Sequence, residues 1–196
     1  MERAITYCHP NVILFAGVAG GLKDVAIGDV VAGSKVYGYE SGKESIGFKP
    51  RPTAHDSNYR LTQRAKAEAR NGNWRQRVVG GVPDSPPRAL VGPIAAGEKV
   101  VADSQSSTSQ LIANTYGDAL AVEMEGYGFL HGVYLNQHIS ALVVRGISDL
   151  LDGKANADRT GSQERACQRR LNIPQFPPAE ISPLSPVEIS PGAERL

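Results

Sequence analysis

Three segments of this chain share one plan: a short apolar run that ends in a polar or glycine-rich stretch. Val12–Ala16 leads into Gly17-Val18-Ala19-Gly20-Gly21, and Ala119–Met124 leads into Glu125-Gly126. Ser140–Val144 leads into Arg145-Gly146-Ile147-Ser148-Asp149. A continuous apolar run of this length, with β-branched members, suits a strand covered on both faces. Helical stretches lie between the runs. In 57–71, Leu61, Ala65 and Ala69 repeat every four residues, and Asn71-Gly72 supplies a stop. Serines open the stretch 106–116 and Gly117 closes it, and a further helix is expected over 127–135. Strands alternating with helices predict an α/β domain with a mixed, largely parallel central sheet.

Other elements are less regular. Glu2–Cys8 reads as the tail of a helix that His9-Pro10 stops. Ile27–Val31 and Lys35–Tyr39 read as two strands joined by a turn, and Lys43–Thr53 as a surface loop. Val78–Val82 and Ala89–Ala95 are further strand candidates. From Ile173 the periodicity fails. Of 13 prolines, those at 174, 177, 178, 183, 186 and 191 fall here, and Glu-Ile-Ser-Pro occurs twice. The expected organisation is one domain over 1–172 and a Pro-rich, disordered tail over 173–196.

Composition excludes several classes of function. The 21 basic and 20 acidic residues give a net charge of +1, so there is no global case for nucleic acid or an anionic membrane. The basic residues of 60–77 read as a solvated helix face. No apolar run approaches the roughly 20 residues of a membrane helix. Cys8 and Cys167 make neither a disulfide framework nor a metal cluster, which predicts a reduced, cytoplasmic compartment and no metal. His9, His55, His131 and His138 show no spacing to a nucleophile and read as surface or packing residues.

In open α/β sheets, ligands bind outside the carboxyl ends of the strands, so the three terminal stretches are the candidate site. Residues 17–21, read as a turn, expose amides and let a ligand approach the backbone. They match neither the dinucleotide fingerprint nor a P-loop. On a strand, Glu123 and Glu125 face one side and Met124 the other. Two like charges there require a specific partner. A ribose suits them, since a carboxylate can accept two sugar hydroxyls; solvated strand-end charges are the alternative. Asp149, after Ser148, is placed either to hand a proton to a ligand or to cap a helix.

Together these motifs resemble the nucleoside phosphorylase superfamily. They are 17–22 with Gly28-Asp29-Val30-Val31, then Val122-Glu123-Met124-Glu125, then Val144–Asp149. Within the superfamily they are most similar to 5′-methylthioadenosine/S-adenosylhomocysteine nucleosidases. The resemblance implies a three-layer sandwich, here lacking the family's first strand and most of its last helix. It implies hydrolysis of the N-glycosidic bond of an adenine nucleoside, without a cofactor, by a homodimer serving nucleoside catabolism and methionine salvage. By position, Asp149 resembles the acid that protonates N7 of the purine, with Ser148 orienting it. Glu125 resembles the residue that binds the ribose hydroxyls, beside Glu123, and Met124 packs against the sugar. Val100 and Val101, in 97–101, resemble the segment lining the base. Val18, Ala19 and Gly20 lie near the anomeric carbon.

Phosphorolytic relatives carry an Arg before the glycine stretch and a Ser or Thr within it. Phe15 and Val18 stand there, and an apolar pair cannot neutralise phosphate. Water is therefore the expected nucleophile. The family's water-activating glutamate has no counterpart, which predicts slow turnover. A phosphorylase for another nucleoside and an inactive nucleoside-binding fragment are the alternatives.

Overall fold

The computed structural model describes residues 2–78 and 86–151. The tail, the helix expected from 163, Cys167 and most of the strand expected over 78–82 lie outside the described residues.

Among the described residues thirteen elements follow in order, twelve of them α-helices or strands. They are α1 (Glu2–Cys8), β1 (Val12–Gly21), β2 (Val30–Gly38), β3 (Gly42–Lys43), β4 (Lys49–Pro50), β5 (Thr53–Asp56), α2 (Tyr59–Asn71), β6 (Ala89–Ala96), α3 (Ser107–Thr115), β7 (Ala121–Glu123), α4 (Gly126–Tyr134) and β8 (Ser140–Leu150). A 3₁₀ turn, Asn73–Arg77, follows α2. Local signals explain the helix limits. Asn58 caps α2 by accepting from the Arg60 and Leu61 amides, and Gly72, at φ 68°, takes the left-handed conformation that ends it. Ser106 caps α3 through the Ser109 amide. No helix among the described residues is long and apolar enough to cross a membrane.

The central sheet runs β5-β2-β6-β7-β1-β8, and β8 also pairs with β2, so five of its strands close on themselves. The pairs β1/β8, β2/β6 and β6/β7 are parallel. The pairs β1/β7, β2/β5 and β2/β8 are antiparallel. The result is a mixed α/β fold. β8 shows why its run is continuously apolar. Leu142 and Val144 pack in a cluster with Trp74, Leu61 and Ala65. Ala141, Val143 and Ile147 pack in another with Leu130, Val133 and Ile5. Both faces are covered, and each fully buried Val or Ile contributes roughly 1.5–3 kcal/mol.

Several expected boundaries are corrected. Residues 17–21 and 145–149 are not turns: they continue β1 and β8, because the two strands carry each other in parallel register from Val12↔Ser140 to Gly21↔Leu150. Ile27–Val31 and Lys35–Tyr39 are not two strands with a turn between them. They contribute to one strand, β2, whose register against β6 shifts between Gly33 and Val36 and so absorbs the irregularity. The third run is strand only over Ala121–Glu123. The loop 43–53 contains the small β3/β4 hairpin.

Candidate functional site

A cavity of about 390 Å³ opens at the ends of β1, β7 and β8 and at the loop after β6. It is large enough for a nucleoside-sized ligand. Val18, Ala19, Gly20, Val100, Val101, Glu123, Met124, Glu125, Ser148 and Asp149 all line it, together with Phe15, Lys99 and Arg145. Every residue singled out for a site in the sequence thus reaches this cavity, although four distant stretches of chain supply them.

The carboxyl end of β8 is irregular where it matters. Ala19 stands opposite Ile147, but Gly20 stands opposite Asp149, so Ser148 is an extra residue and forms a β-bulge. Regular alternation sends consecutive side chains to opposite faces. The bulge instead brings them together: Ser148 Oγ donates to Asp149 Oδ1 at 2.5 Å. Ser148 Oγ also lies 3.4 Å from the Ala19 carbonyl. Asp149 is 3% exposed, and among the described residues Ser148 is the partner of its carboxylate. A Cβ on Gly20 would stand 3.4 Å from Asp149 Oδ2, so the strand passes close to that oxygen. Asp149 lies within β8, and a hydroxyl, not a helix amide, meets its carboxylate among the described residues.

The two glutamates do not share a face, because β7 ends at Glu123 and Glu125 is the residue before α4. Glu123 turns inward. Its Oε2 accepts from Arg145 Nε at 3.0 Å and from Arg145 Nη2. Its Oε1 accepts from the Gly126 amide at 2.8 Å, and its Oε2 also accepts from the Glu125 amide at 3.2 Å. The carboxylate therefore caps α4, whose N-terminus attracts negative charge. Gly126 is required: a Cβ there would meet Glu123 Oε1 at 2.8 Å. With these bonds filled, Glu123 supports the site and has little capacity left for a ligand. Glu125 has the opposite character. Its side chain is 64% exposed, with Oε2 3.6 Å from Arg145 Nη2.

Arg145 is the residue that sequence reasoning passed over. It is 1% exposed, lies with its Cζ 4.4 Å from the Phe15 ring centroid, and occupies the space beneath Gly17. A Cβ on Gly17 would fall 2.1 Å from Arg145 Nη1. A signal existed: a lone Arg in an apolar strand must find a carboxylate, and the Glu123/Glu125 pair was in want of a partner.

The cavity wall over 99–101 is held from the residues that follow β2. Tyr39 is fully buried and donates through its hydroxyl to the Lys99 carbonyl at 3.3 Å. Burial, chiefly, pushes Tyr39 up to about 12, so it remains a donor. Glu40 accepts from the Glu98 amide at 2.8 Å and pairs with Lys99 at 3.5 Å. Val101 is buried beside Tyr39, Ala95 and Ile112, while Val100 is exposed. Among the described residues no cluster of three metal-ligating side chains occurs.

Comparisons with known proteins bear on this arrangement. The family model described as "Phosphorylase superfamily" matches residues 1–173. The ATP nucleosidase Cap17 of Escherichia coli strain KTE188 is 31% identical over 163 residues, covering 73% of this chain and 31% of the relative. The chain thus spans about a third of the length of the curated relatives it matches. Among solved structures, the 5′-methylthioadenosine/S-adenosylhomocysteine nucleosidase of Neisseria meningitidis has a TM-score of 0.66 at 23% identity, over 87% of this chain and 70% of that one. Futalosine hydrolase of Helicobacter pylori has a TM-score of 0.63 at 25% identity, over 86% and 68%. On the family match, and with the sheet and cavity described above, the chain belongs to the phosphorylase superfamily.

Proposed function

We propose that this domain hydrolyses the N-glycosidic bond of adenine nucleosides, 5′-methylthioadenosine and S-adenosylhomocysteine in particular, and releases adenine. The observation that carries the reading is the pairing of two carboxylates at one cavity. Asp149 is buried with a hydroxyl as its partner, and Glu125 is exposed at the cavity wall. Cleavage leaves positive charge on the sugar and an electron pair on the departing base. Asp149, oriented by Ser148, acts as the general acid at N7 of the purine. Glu125 accepts the ribose hydroxyls, and Met124 packs on the sugar. Val100 and Val101 border the base, and Val18, Ala19 and Gly20 pass beneath the reacting carbon. Proton donation of this kind contributes about 10²–10⁴-fold, and nearby negative charge favours the cationic transition state.

The charges lining the cavity support water over phosphate as nucleophile. The two cations there are already paired, Arg145 with Glu123 and Lys99 with Glu40. Phe15 and Val18 offer a phosphate no side-chain donor. The domain fits small-molecule nucleoside catabolism in the cytoplasm, with methionine salvage as its setting, and a homodimer as its assembly.

The test is adenine release from 5′-methylthioadenosine, followed with and without inorganic phosphate. Release is expected to be independent of phosphate and to fall about 10²–10⁴-fold in Asp149→Asn. A strict phosphate requirement identifies a phosphorylase. Release undiminished in Asp149→Asn overturns the assignment of the acid.

A further inference from the structure

The parallel pairing of β2 with β6 ends at Gly38↔Ala96. Two backbone bonds mark the limit of the sheet there. The Tyr39 amide donates to the Ala96 carbonyl at 3.2 Å, and the Gly97 amide to the Glu123 carbonyl at 3.2 Å. Beyond them, side chains take over the anchoring. Glu40 accepts from the Glu98 amide at 2.8 Å through Oε2, and its Oε1 faces the Lys99 ammonium at 3.5 Å. The Tyr39 hydroxyl donates to the Lys99 carbonyl at 3.3 Å. We propose that Glu40 is a positioning residue for base recognition: it fixes the backbone at 98 and 99, and through it the place where Val100 meets the base. The proposal rests on the reading above. It adds a residue that is absent from the lining of the nucleoside cavity, whereas Lys99, Val100 and Val101 all line it.

Val100 and Val101 differ in what holds them. Val101 is buried in a cluster with Ile112, Tyr116 and Ala119, so packing fixes that end of the segment. Val100 is 60% exposed and belongs to no apolar cluster among the described residues. Its place follows from the backbone on either side, and on the Lys99 side the anchors are Tyr39 and Glu40. The two contacts of Glu40 are unequal. The Lys99 side chain is 71% exposed, so its ion pair is screened by water and contributes little. The bond from the Glu98 amide ends on a half-buried carboxylate, which makes it charge-assisted and the stronger of the two. Glu40 thus acts through an acceptor atom at one backbone amide, and its charge is secondary. Asp149 and Ser148 are held separately, on β8. Loosening the 98–100 backbone therefore affects how the base is held more than how it is protonated.

The experiment measures adenine binding by calorimetric titration, and KM and kcat for 5′-methylthioadenosine, in the parent, Glu40→Ala and Glu40→Gln. Adenine binding tests the proposal even where turnover is slow. Alanine removes both contacts. Its Kd for adenine and its KM are expected to rise about tenfold, as for a segment that holds its binding arrangement about a tenth of the time. Its kcat is expected to stay within about threefold of the parent. Glutamine keeps an acceptor for the Glu98 amide and loses only the charge, so it is expected to restore Kd and KM to within about threefold of the parent. The proposal is overturned if Glu40→Ala binds adenine as tightly as the parent, if its kcat falls as far as its KM rises, or if Glu40→Gln restores nothing. If the parent neither binds adenine nor cleaves 5′-methylthioadenosine, the functional reading itself falls and this role of Glu40 with it.

Discussion

Asp29 and Asp149 flank the same stretch of β8 and are equally withdrawn from water, each 3% exposed, yet their surroundings are opposite in kind. Asp29 lies just before β2, and its carbonyl accepts from the Ile147 amide at 2.8 Å. Its carboxylate accepts from the Ala26 and Arg88 amides and from Nε and Nη2 of Arg88. A carboxylate offers about four lone-pair directions, and here four N–H donors meet it, three on Oδ2 and one on Oδ1. Asp149 has Ser148 on one oxygen and cavity on the other side. The difference teaches how to separate structural from chemical burial. A carboxylate surrounded by donors ties chain segments together, here the 26–29 turn and Arg88. An unsaturated one, held by a single hydroxyl in a cleft, is free to exchange a proton with a ligand.

Substitution by Asn should break the two sites in opposite ways. The largest effect belongs to Asp149→Asn, where catalysis falls about 10²–10⁴-fold. Its melting temperature should stay within about 2 °C of the parent, because few native bonds are lost. Next comes Arg145→Met. Removing the guanidinium leaves Glu123 buried without its counter-charge, and breaking such a pair costs roughly 3–5 kcal/mol. Urea unfolding measures this directly. A cost below about 1 kcal/mol would show that Glu123 is held by the α4 amides alone. Asp29→Asn follows: it puts an NH₂ group against donors, and the melting temperature should fall by roughly 5 °C. The surviving folded fraction should keep its turnover. If turnover drops in proportion to Asp149→Asn, the two aspartates are coupled through Ile147 and the contrast fails.

The same contrast explains what was legible in the sequence. The apolar runs of β1 and β8 and the caps of α2 and α3 depend on neighbours a few residues away, so pattern alone finds them. The candidate site residues were singled out because their motifs resemble a family, and the fold brings all ten to one cavity. Three things were not legible. That 17–21 and 145–149 are strand follows from pairing between segments over 120 residues apart, which no local pattern records. The bulge at Ser148 is likewise a property of two strands. The parting of Glu123 from Glu125 depends on where β7 stops, which the Arg145 partner and the α4 N-terminus decide jointly. In each case glycine carried the hidden information: Gly17 and Gly126 are small because Arg145 and Glu123 fill the space.

The smallest effect expected tests the far edge of the sheet. His55 of β5 lies with Nε2 3.1 Å from His131 Nδ1 on α4 and packs on the rings of Tyr127 and Tyr134. Burial lowers its pKa below 6.5, the neighbouring His131 lowers it further, and Asp56 opposes both. The folded state therefore favours neutral His55. Its contribution to stability is complete above the unfolded value and is lost as pH falls through the lower folded value. Urea midpoints should decline below pH 6.5 more steeply in the parent than in His55→Gln, with the two curves parallel above it. Adenine release, assigned under the proposed function to Asp149 and Glu125, should show no step attributable to His55. A shared step in activity and stability would mean that β5 and α4 reach the site through Tyr127, which lines a cavity together with Met124 and Glu125.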